Sequence, residues 1–148
     1  MEKFKKHLKM NSLIVLLFAG VTLLNIAAEL FLGELNGADA PENILRITKI
    51  ILMSVSLVLV APRIYIGVKG MLTAKNPNTS SGHITWAIIL LTVSLLSLLE
   101  PIINMISNGD IYANVDTLFG IVLDVLIYYD FIKSARAVRN EAAQNAEK

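Results

Sequence analysis

Four apolar blocks, residues 13–24, 50–61, 86–99 and 118–131, recur along the chain. With its milder flanks each reaches roughly 20 residues, the length a helix needs to cross about 30 Å of hydrocarbon. A backbone surrounded by lipid must satisfy its own hydrogen bonds, so blocks of this length, read as spans, are helices. The predicted spans, at about 10–32, 44–70, 84–106 and 114–133, consume most of the 148 residues. Hydrophobic residues make up 55% of the chain and charged ones 17%, with a mean hydropathy of +0.62. No room remains for a sizeable water-soluble domain. The expected fold class is all-α: one polytopic transmembrane four-helix bundle, with a cytoplasmic tail at 134–148.

The charges orient the bundle. Lys3, Lys5, Lys6 and Lys9 precede the first block, Lys69 and Lys75 follow the second, and Lys133, Arg136, Arg139 and Lys148 follow the fourth. The other two connections, 33–43 and 107–113, contain Glu34, Asp39, Glu42 and Asp110 but neither lysine nor arginine. The positive-inside rule then places both termini and the middle loop in the cytoplasm. The basic start also suits a secretory signal, but cleavage after Ala27 or Ala28 would put Asn25 or Ile26 where a small residue is wanted.

The turn signals agree with this layout. In the stretch AKNPNTSSGH, 74–83, Asn76-Pro77 ends the second helix and Ser80 or Ser81 caps the third, while Pro41 suits a first-turn position. Asn78-Thr79-Ser80 matches a glycosylation triplet, but its cytoplasmic placement makes it a plain turn. The tail is alanine-rich and charged, without an apolar stripe, and is expected to carry the fourth helix into water and then fray. The halves are also alike: VTLLNIAAE at 21–29 matches VSLLSLLE at 93–100, and NGAD at 36–39 matches NGD at 108–110, at an offset of 72. IYIGVKGMLTAKN from Ile64 compares with IYYDFIKSARAVRN from Ile127. Two tandem helical hairpins, related by a pseudo-two-fold axis along the membrane normal, would produce that pattern.

Polar residues inside such spans are costly, and they are the candidate site. VLVAPRIYIGVKG, 58–70, places Pro62 and Arg63 within an apolar run. With Lys69 at the interface, Arg63 lies about 9 Å deeper; counted from Lys133, Asp130 lies about 5 Å deep and Asp124 about 14 Å. An isolated charge at a span's centre costs about 2.5–3.5 kcal/mol. Arg63 either snorkels to the interface or pairs with Asp124, Asp130 or both, with Tyr65, Tyr128 and Tyr129 as hydrogen-bonding neighbours. Pro62 frees the carbonyl of Val58, and Pro101 makes a similar break after Glu100, so both are candidate hinges. Near the outer face Glu29, Arg46, Lys49, Glu100 and Asp116 form either interfacial anchors or a polar vestibule, which Asn25 and Asn104 would join. Gly20, Ala27, Ala28, Ser54, Ser94, Ser97 and Gly120 are candidate helix contacts, and Gly67 and Gly70 bracket the inner end of the second helix.

Catalytic chemistry has little to build on. Cysteine is absent, and with it disulfides, thiol catalysis and thiolate metal sites. His7 and His83 lack an HExxH or other zinc spacing, GVKG is not a phosphate loop, and no nucleophile, base and oxyanion set is evident. No enzyme activity, cofactor or metal is expected, and nucleic acid is not an expected partner. RIYIGVKGMLTAKNP, followed by HITWAIILLTVSLL, resembles segments of small uncharacterised four-helix membrane proteins of Gram-positive bacteria. That resemblance implies a bacterial plasma membrane and brings no activity. The expectation is a transport or channel-like unit with a polar path of intramembrane charges, in a lipid bilayer and as a homo-oligomer. The alternative is an accessory or immunity-type protein that docks on a larger membrane partner.

Overall fold

The computed structural model describes residues 2–32, 42–78, 80–108 and 115–146. Most of the connections at 33–43 and 107–113, with Glu34, the NGAD stretch at 36–39, Pro41, Gly109 and Asp110, lie outside the described residues, as do Thr79 of the glycosylation triplet and Lys148. Five helical segments follow in order: α1 Glu2–Leu32, α2 Glu42–Lys75, α3 Gly82–Ser97, α4 Leu99–Asn108 and α5 Val115–Ala146. Because α3 and α4 share one apolar stretch, Gly82–Ser107, with Leu98 between them still at helical dihedrals, the fold is the expected four-helix bundle.

Three stretches, Glu2–Ala28, Ile44–Lys75 and Gly82–Ser107, are long and apolar enough to cross a membrane. α5 falls short of that composition because Asp116, Asp124 and Asp130 interrupt its apolar half. It is nonetheless an integral member of the bundle. Around the bundle the neighbours run α1, α2, α3, α5 and back to α1, with α2 and α5 also touching across the diagonal. Two hairpins docked side by side give this order, although the α1–α5 seam is more extensive than the α2–α3 seam.

The packing follows from a spacing of three and four residues, which keeps one stripe of each helix facing inward. On α1 the stripe is Leu8, Asn11 with Ser12, Val15 and Ala19; on α3 it is His83 with Ile84, Ala87 and Ser94. On α5 it runs Asp124, Tyr128, Phe131, Ala135 and Val138, and on α2 Val60, Arg63, Ile66, Gly70 and Thr73 with Ala74. The opposite faces are covered with exposed Leu17, Leu24, Ile51, Val58, Leu96 and Phe119, as a bundle solvated by lipid tails requires.

Burial concentrates where the start of α1, the end of α2, the start of α3 and the second half of α5 meet. Leu8, Ile66, Ala74, Ile84, Tyr128, Phe131 and Ala135 form one cluster there. Gly67 and Gly70 make the close approach possible. A methyl group on Gly70 would strike the Ser12 hydroxyl and the Phe131 ring, and one on Gly67 would strike Leu16. The α2–α3 turn is tied into the same core by His83, which is fully buried. Its Nδ1 donates to the Ser80 carbonyl at 3.0 Å, its Nε2 lies 3.4 Å from Thr73 Oγ1, and its ring meets Phe131 edge-on at 6.1 Å.

Several expectations need correction. α2 runs unbroken through Pro62. α3 does end, at Ser97, but the cause lies downstream. Pro101 has no amide for the Ser97 carbonyl, so the ladder is interrupted there: Leu98 N donates three residues back to Leu95 O, and the four-residue pattern resumes with Ile102 N to Leu98 O, both at 3.3 Å. Ser81 is the cap residue of α3 but makes no side-chain cap bond. The amide of Ile84 instead uses the Ser81 carbonyl, at 2.9 Å. The tail does carry an inward stripe, since Ser134, Ala135 and Val138 are buried. Gly20 and Gly120 face open space rather than a neighbouring helix. Ser54 and Ser97 return their hydroxyls to their own helices, at Ile50 O and Val93 O.

Candidate functional site

Asp124 and Arg63 occupy inward stripe positions that an ordinary bundle fills with leucine. Each backbone places its side chain toward the interior, and the two meet across the α2–α5 diagonal. Arg63 Nη2 donates to Asp124 Oδ2 at 2.6 Å, with side-chain exposures of 24% and 20%. So short a separation belongs to a charge-assisted hydrogen bond. Arg63 Nη1 also donates to Thr22 Oγ1 at 3.3 Å, which brings α1 into the site. Thr22 passes its own proton to the Phe18 carbonyl at 2.8 Å, so its oxygen is oriented to accept. The buried Tyr128, one turn from Asp124 on α5, also lies within the electrostatic reach of the guanidinium. Three helices therefore converge on one guanidinium.

Asp130 is engaged elsewhere. Asn11 Nδ2 donates to its Oδ2 at 2.7 Å, on the α1–α5 seam. Asn11 and Thr22 are eleven residues apart, three turns of helix, and so share one face of α1 about 16 Å apart. The two polar stations thus lie along the same seam. A cavity of 210 Å³ beside the first station is lined by Lys3, Phe4, His7, Asp130, Lys133 and Ser134. Between the stations stand Val15 and Ile66, both buried. Water-accessible polarity at the bundle end is therefore separated from the inner ion pair by an apolar layer.

The other residues singled out from sequence divide cleanly. Tyr65 is half-buried with its hydroxyl close to Gly82, on the α2–α3 side. Tyr129 is 60% exposed and faces outward, so neither of these tyrosines joins the ion pair. Pro62 directly precedes Arg63 within continuous helix. Pro101 is buried, three residues past the break at Leu98. In the expected vestibule Arg46 and Glu100 are exposed and Lys49 is half-buried, while the side chains of Glu29 and Asp116 lie outside the described set. Asn25 is exposed and Asn104 half-buried.

Asn11 and Thr22 were not anticipated as partners. The signal was present: both fall in register with Leu8, Val15 and Ala19, a stripe otherwise apolar or small. Comparison with family models, with curated proteins and with solved structures finds no match to this chain.

Proposed function

We propose that this protein is a non-enzymatic transport or channel-like unit of a bacterial plasma membrane, both termini cytoplasmic, working as a homo-oligomer. The observation that carries the reading is the Arg63–Asp124 pair at 2.6 Å, on inward positions of α2 and α5. Charges kept there cost stability that two apolar side chains would not. A second polar station, Asn11 with Asp130, lies on the same seam and opens on a cavity at the bundle end. The apolar layer of Val15 and Ile66 between them is where such a path would be gated. Pro62, adjacent to Arg63, lacks an amide and leaves the Val58 carbonyl free, which lets α2 flex at that level.

The test is flux of ions or small solutes through liposomes containing the whole chain. D124N keeps an acceptor against Arg63 and removes the negative charge. Flux in the unaltered protein that D124N abolishes, with unchanged thermal unfolding, supports the reading. No flux, together with stable co-purification of one larger membrane protein, assigns the charges to docking and the protein to an accessory role.

A further inference from the structure

A second built feature, sharing only Lys133 with the seam cavity, lies on the lipid-facing side where α3 and α5 form a groove of 560 Å³. Its floor at one end is apolar, formed by Ile88, Leu91 and Ile132; its other end presents Lys133, Arg136 and Asn140. On α5 the lining residues Tyr129, Lys133, Arg136 and Asn140 are spaced four, three and four apart, so they form a single ladder along one helix face. Lys133 and Arg136 are both exposed, and among the described residues neither makes an ion pair. Asp130, the nearby carboxylate on the same helix, is engaged by Asn11.

The level of the groove is fixed by contacts. His83 and Phe131 meet edge-on, so these positions of the antiparallel α3 and α5 stand at one height. Trp86, 43% exposed, and Tyr129, 60% exposed, lie three and two residues further into the bundle from that height. Two outward aromatic rings at one level mark a membrane interface. Ile88 and Leu91 then lie on the hydrocarbon side, about 7 and 12 Å from the His83 level, while Lys133 and Arg136 lie about 3 and 7 Å on the headgroup side.

We infer that this groove binds an anionic phospholipid of the adjacent leaflet, one acyl chain against Ile88, Leu91 and Ile132 and the phosphate held by Lys133 and Arg136. Charge complementarity selects the occupant, because an apolar floor alone accepts any lipid whereas two unpaired cations at phosphate height favour an anionic headgroup. Arg136 offers a planar fork to phosphate oxygens and Lys133 a point charge. Asn140 supplies a further donor to headgroup hydroxyls.

The experiment moves the chain's single tryptophan into the groove. The W86F/Y129W protein is reconstituted in phosphatidylcholine vesicles carrying either brominated phosphatidylglycerol or brominated phosphatidylcholine, and quenching is read against mole fraction. At a membrane surface one basic side chain favours an anionic lipid about fivefold. Phosphatidylglycerol is therefore expected to quench with at least that relative affinity. K133Q/R136Q should reduce the preference toward unity, K133R/R136K should retain it, and K3Q/K5Q should leave it unchanged. Excess inorganic phosphate should not relieve the quenching, since the apolar floor contributes to retention. Equal quenching by the two brominated lipids, or a preference that survives K133Q/R136Q, overturns the inference. Loss of the preference on adding phosphate also overturns it, since it identifies a free-anion site.

Discussion

Single residues decide the interior of this bundle through what each would leave behind if removed. Arg63→Leu strands Asp124, and Asp124→Leu strands Arg63, so each single change is expected to destabilise by about 2 kcal/mol or more. Removing both charges together leaves no orphan, and R63L/D124L should recover much of that loss in a double-mutant cycle read by thermal unfolding in detergent. Losses that simply add would mean that the pair at 2.6 Å is energetically uncoupled. The glycines give a contrast of another kind. Gly70→Ala forces a methyl group onto Ser12 and Phe131 and should cost about 1–3 kcal/mol. Gly20→Ala enters open space and should be neutral or slightly stabilising by the same measurement. The presence of small residues was legible in the sequence, but which of them touch a neighbour was not. Gly20 and Gly70 sit in similar apolar surroundings, and only the rotation of α1 and α2 about their axes separates a contact from a lipid-facing site. Arg63 was legible as a residue that snorkels or pairs with Asp124, Asp130 or both, for the opposite reason: a charge deep in an apolar run has few ways to be tolerated.

At the scale of helices, two prolines behave differently although each removes one backbone donor. Pro62 is carried within an unbroken 34-residue helix that packs against α1 along its length. Pro101 lies in α4, whose main contacts among the described residues are with α3. The chain therefore yields at Leu98 rather than holding a continuous ladder. Pro101→Ala returns a donor to the Ser97 carbonyl and should fuse α3 and α4. Spin labels on cysteines at 86 and 106, in a chain without native cysteine, should then separate toward the about 30 Å of a straight helix of that length. An unchanged distance in Pro101→Ala would place the cause of the break in tertiary packing. Sequence reasoning located both prolines but not which helix would break, because the outcome depends on neighbours that periodicity does not reveal. The helix that carries the first span, expected at about 10–32, begins earlier, at Glu2. Among the lysines that precede the apolar block, Leu8, on the stripe with Val15, is fully buried.

For the molecule as a whole, the tightest packing lies at the end where α1 begins and α5 finishes, beyond the apolar blocks that define the spans. Leu8 on α1 and Phe131, Ala135 and Val138 on α5 have no exposed surface there. The stripe of Asp124, Tyr128, Phe131, Ala135 and Val138 keeps its four-and-three spacing from the lipid-spanning half into the charged tail. Alanine and valine among lysines, arginines and glutamates look like an exposed helix when hydropathy is averaged, which is why the tail read as fraying. The bundle is therefore anchored by a water-facing clamp, while its remaining length is solvated by lipid on most faces. Ending the chain after residue 133 removes Ala135 and Val138 and uncovers Leu8; at about 25 cal/mol per Å² of apolar surface, several kcal/mol of burial is lost. The midpoint of thermal unfolding in detergent should fall by many degrees. Ending it after residue 142 leaves the stripe intact and should have little effect. Val138→Asp in the full chain should resemble the longer deletion, because it buries a carboxylate at a site with no exposure. If both deletions and Val138→Asp leave the midpoint unchanged, the spans alone hold the fold, and the clamp contributes nothing to keeping Arg63 opposite Asp124.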